Sequence, residues 1–101
     1  MSDAQVPENI PPHDLEAEMS VLGCMLMEHT AAVLARDKLQ KSHFYKLAHQ
    51  TIFDVALHIL DSHNSNDLVM IRDELERRGE LDKSGGALYL AELVDSVANP
   101  A

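Results

Sequence analysis

The chain has no tryptophan and only four aromatic residues, Phe44, Tyr45, Phe53 and Tyr89. Its core must therefore be built from Leu, Ile, Val, Met and Ala. Cys24 is the single cysteine, so an intramolecular disulfide is excluded. Flanked by apolar residues in a helical segment, it reads as a small buried hydrophobe rather than a reactive thiol. No apolar run is long enough to span a membrane. The first ten residues, MSDAQVPENI, lack the basic flank and apolar stretch of a secretory signal. Basic charge is also scarce: 8 Lys and Arg face 17 Asp and Glu, for a formal charge of −9. Phosphate neutralisation needs the opposite excess, which argues against nucleic acid and anionic lipid as direct partners.

What remains suits one folded domain of 101 residues with 46% hydrophobic content. Residues 1–12 are polar, hold three of the four prolines and read as a flexible tail. From 13 onward the apolar spacing is helical. Asp14 stands where an N-cap acceptor is wanted, and Glu16 and Glu18 follow in the first turns, where the helix dipole favours acids. Leu15, Met19, Leu22 and Leu26 form one stripe, predicting a helix over about 14–28. Gly23 inside it marks close approach of another backbone. Thr30 is placed to cap a second helix to about Leu39, with Val33 and Leu34 inward. Ser42–Tyr45 reads as a turn in which Phe44 is an anchor.

The widest apolar face belongs to a helix over about 47–62, carrying Ile52, Phe53, Ala56, Leu57, Ile59 and Leu60. After the polar loop 61–66, Asp67 caps a helix that ends in Arg77, Arg78 and a C′ glycine, Gly79. Gly85-Gly86 opens a last helix through about Val97. No segment alternates with period two, so no sheet is expected. The fold class is all-α: a compact orthogonal bundle of about five helices plus short turns.

Catalytic patterns are missing. A P-loop needs glycines followed by Lys and Ser or Thr, whereas Lys83-Ser84-Gly85-Gly86 runs in the reverse order. Of six histidines, no two stand four apart on one helix, the spacing that turns two imidazoles to one face. Cys24, His43 and His49 could meet only through the fold. His49 reads as a residue that locks a turn. The helix at 67–78 carries three arginines but four acids, a poor recognition helix for DNA. No catalytic residue, cofactor site or metal site is assigned.

Four segments carry a resemblance: PPHDLEAEMSVLG at 11–23, HFYKLAHQTIFDV at 43–55, DLVMIRDELERRGEL at 67–81 and GGALYLAEL at 85–93. In this order and spacing the chain resembles the N-terminal domain of the bacterial replicative DNA helicase, the DnaB family, over about residues 10 to 100. The resemblance implies a non-catalytic collar domain at 13–101 that supports a hexameric ring, pairs with other helicase subunits and docks the C-terminal domain of primase in the cytoplasm. ATP and magnesium would belong to the motor domain; that domain and the helical hairpin leading to it, which carries much of the pairing surface, are expected to be absent from this chain. Without the hairpin the chain is expected to be a monomer or weak dimer. Carried over by position, the primase-facing residues are Glu16 and Tyr89. Each has a local alternative, Glu16 serving its helix dipole and Tyr89 filling core. Two rival readings stay open. One is the primase's own helicase-binding domain, which shares this kind of all-α fold. The other is a small DNA-binding helical module, against which the charge of −9 weighs.

Overall fold

The computed structural model describes residues 14–98; the expected tail at 1–12 lies outside them. Five α-helices follow in order: α1 (Leu15–Met27), α2 (His29–Lys38), α3 (Leu47–His63), α4 (Leu68–Arg77) and α5 (Gly86–Ala98). Two 3₁₀ turns, Lys41–His43 and Asp82–Ser84, precede α3 and α5. There is no strand among the described residues. The all-α expectation holds, as do the order and number of its helices.

Local chemistry explains most boundaries. The Asp14 carboxylate accepts from Ala17 N at 3.2 Å and starts α1. Asp67 accepts from Met70 N at 3.3 Å and starts α4. Gly79, at φ 71°, ends α4 in a Schellman motif: its N–H donates to the Glu76 carbonyl, and Glu80 N donates to the Leu75 carbonyl at 2.8 Å. α2 departs from expectation. It begins at His29 behind the extended Glu28, so Thr30 lies inside the helix and caps nothing.

α3 is the central helix, packed on α1, α2 and α4. Ile52, Phe53, Val55, Ala56, Ile59 and Leu60 are all buried along it. Phe44 is buried against Phe53, with ring centroids 4.9 Å apart, and Gln50 Nε2 donates to the Phe44 carbonyl. α1 crosses α5 at Gly23, where a Cβ would overlap the Leu93 carbonyl oxygen. The close approach read from this glycine is therefore real, and the neighbouring backbone is α5.

Two apolar expectations need correction. Leu34 is exposed rather than inward, because Ala32 and Ala35 supply the buried face of α2. Cys24 is exposed, since Gly23 takes the helix face toward α5 and leaves the next position outward. Leu88 is 83% exposed, the core-facing positions of α5 being Leu90 and Leu93.

Of the expected loop 61–66, α3 takes up residues 61–63, and the remaining 64–66 close the ends of two helices. Asn66 Nδ2 donates to the Met25 and Leu26 carbonyls at 3.0 and 3.2 Å, satisfying acceptors that the end of α1 leaves open. Asn64, left-handed at φ 50°, caps α3 and places its Oδ1 3.0 Å from His29 Nε2.

Candidate partner-docking site

α3 has no side-chain cap of its own. Glu18, from the first turn of α1, supplies one from outside the helix. Its Oε2 accepts from Tyr45 N at 2.6 Å and its Oε1 from Lys46 N at 3.4 Å. A carboxylate there also meets the positive end of the α3 dipole. The same Oε1 lies 2.7 Å from His49 Nδ1, and His49 Nε2 lies 2.5 Å from the Tyr89 hydroxyl. One line of side chains thus runs Glu18, His49, Tyr89 and joins α1, α3 and α5.

His49 is fully buried, so both of its ring nitrogens need partners, and both have them. Read from sequence as a residue that locks a turn, it instead links three helices, its ring meeting Glu18 of α1 and Tyr89 of α5. Tyr89 is half-buried, neither wholly core nor free. Its ring lies nearly parallel to that of His49, at 9°, with centroids 5.8 Å apart. Lys46 Nζ stands 5.0 Å from the ring centroid, within cation–π range. Gly85 makes room on another side: a Cβ there would come within 2.6 Å of Tyr89 Cβ and 2.7 Å of Cγ.

A carboxylate, an imidazole and a hydroxyl in series repeat the hydrogen-bond order of a nucleophilic triad. Here the hydroxyl is phenolic, and its pKa is raised, first by burial and then by the nearby Glu92 and Glu18 carboxylates. Activation requires the opposite shift. The arrangement orients Tyr89 rather than arming it.

Glu16 is exposed at the start of α1 and lines a shallow depression with Met19, Ser20 and Ser96. Tyr89 and Ser96 are seven residues apart and so share a face of α5. The structure places both expected site residues on the α1–α5 pair but does not join them. Sequence reading passed over Glu18, counted only as helix-start charge, and Lys46. The signal for Glu18 was indirect: α3 lacks a Ser, Thr, Asp or Asn at its own start. Of the residues weighed for metal, His43 Nδ1 accepts from Gln40 N and His49 is held as described. Among the described residues no group of three His, Cys, Asp or Glu is placed to hold a metal ion, and no helix is long and apolar enough to cross a membrane.

A family model described as "DnaB-like helicase N terminal domain" matches residues 10–101. The replicative DNA helicase DnaB of Geobacillus stearothermophilus is 40% identical over 94 residues, covering 93% of this chain and 21% of that protein. The Treponema pallidum DnaB is 39% identical over 92 residues, covering 91% of this chain and 21% of the relative. The chain thus spans about a fifth of the length of these relatives. Among solved structures, the N-terminal domain of DnaB helicase from Mycobacterium tuberculosis superposes with a TM-score of 0.80 at 41% identity, over 85% of this chain and 60% of that one. The match falls on the helicase and so decides against the reading as a primase domain. With 92 of its residues inside the family model and its bundle shared with a solved member, the chain belongs to the DnaB family, as a replicative-helicase N-terminal domain.

Proposed function

We propose that the chain serves as a non-catalytic collar of a hexameric helicase, supporting ring assembly and docking the C-terminal domain of primase. The observation that carries this reading is Tyr89. A half-exposed aromatic is held in one posture by its hydroxyl, beside a lysine and on the same helix pair as the exposed Glu16. Aromatic side chains with a fixed posture are favourable anchors, because little rotamer freedom remains to be lost on binding. Glu16 offers a carboxylate to a basic partner. The hydrolysis of ATP with magnesium belongs, on this reading, to a motor domain elsewhere in the parent protein, and the setting is the cytoplasm.

The test is an NMR titration of the ¹⁵N-labelled chain with the C-terminal domain of the cognate primase. Docking at this site predicts shifts clustered at Glu16, Tyr89 and their neighbours on α1 and α5. Absence of shifts at a large excess of primase domain would overturn docking by this chain.

A further inference from the structure

We propose that His49 is a positioning residue for docking, acting as the Nδ1–H tautomer that fixes Tyr89 from beneath. This inference rests on the docking reading above and assigns that site its internal support.

The argument starts from donor and acceptor capacity. A carboxylate only accepts hydrogen bonds. Glu18 Oε1 lies 2.7 Å from His49 Nδ1, so Nδ1 carries the proton. In the neutral ring Nε2 then accepts, and the Tyr89 O–H donates to it. Every member of the line is satisfied by its neighbour, as burial of His49 requires. Glu18 is itself fixed, because its carboxylate also accepts from the backbone N–H groups of Tyr45 and Lys46. The Tyr89 O–H donor is thereby used inside the domain. A partner meets Tyr89 through its ring and through Lys46 beside it. The ring cannot rotate away without leaving His49 Nε2 unpaired, and the empty space at Gly85 lets it lie close to the backbone.

The test has partner-free and partner-dependent readouts. Imidazole ¹⁵N shifts of His49 in the wild-type chain should show a pyrrole-type Nδ1 and a pyridine-type Nε2. Two pyrrole-type nitrogens, or the reverse assignment, overturn the tautomer. Tyr89→Phe keeps the ring and removes its anchor. Aromatic ¹³C relaxation should show a less ordered ring at position 89 in this variant, and equal order overturns the positioning role.

Calorimetry with the primase C-terminal domain, well below the unfolding midpoint, then compares wild type, Tyr89→Phe and Tyr89→Ala. Tyr89→Phe should weaken binding by about tenfold, the scale of one hydrogen bond. A role in stability alone would lower Tm and leave Kd unchanged. Full affinity in Tyr89→Phe with loss in Tyr89→Ala overturns positioning and leaves docking intact. Full affinity in both variants overturns docking at Tyr89, and the positioning role for docking falls with it.

Discussion

Two glycines set the posture of the α5 side of the domain, and each yields a prediction at the scale of single atoms. A Cβ at position 23 would overlap the Leu93 carbonyl and approach Val97 Cγ1 to 3.1 Å. Alanine gains about 1 kcal/mol in helix propensity, whereas forcing apart a packed helix crossing costs roughly 1–3 kcal/mol. The obstacle is backbone, which moves only with its helix, so Gly23→Ala is expected to destabilise the domain. Urea unfolding checks this, and a more stable variant would contradict the crossing. Gly85 combines φ 103° with the close Tyr89 ring. Gly85→Ala should lower stability by about 1–3 kcal/mol, since the left-handed region is strained for a residue with a Cβ. It should also shift the Tyr89 ring resonances, which a purely local backbone effect would leave in place.

Among the elements, α4 depends on its own ends. It has ten residues, too few to be stable without caps and packing. Asp67→Ala removes the bond to Met70 N and is expected to cost about 1 kcal/mol, measured as a lower urea midpoint. Further along α4, Glu74 accepts from Arg77 Nε at 2.9 Å and Arg78 Nε at 2.8 Å. The Arg77 guanidinium first, then that of Arg78, holds its carboxyl at about 2 rather than 4.5. A carboxyl depressed on folding stabilises the native state above its unfolded pKa, and the contribution fades as pH falls from about 4.5 towards 2. Glu74→Gln should flatten stability against pH in that window, as read by thermal unfolding at pH 2.5 to 6. An unchanged slope would show that the pair is screened by solvent in both states.

For the whole molecule, the charge of −9 predicts no measurable binding to duplex DNA at physiological salt, and fluorescence anisotropy with a labelled duplex checks it. Sedimentation of the chain by itself is expected to show a monomer or weak dimer. A tight dimer would locate ring-pairing surface within these 101 residues.

Helix existence, order and most ends were legible in the residues. Caps such as Asp14, Asp67 and Gly79 act within one turn of themselves, and apolar spacing of 3.6 is a property of the chain. Gly23 even announced a close backbone, though not whose. The start of α2 was misplaced because Thr30 offered a cap that the extended Glu28 made unnecessary. The outward Leu34 and Cys24 were misread for a common reason: an apolar side chain is buried only where another element arrives to cover it. The line Glu18, His49, Tyr89 was illegible for a related reason, its members lying 31 and 40 residues apart. Sequence by itself determined an acidic all-α domain with α1 and α4 capped in place, because those forces are local. Only the tertiary structure decided that a carboxylate of α1 starts α3 and that a buried imidazole aims Tyr89, because hydrogen bonds between distant residues exist only once the helices have packed.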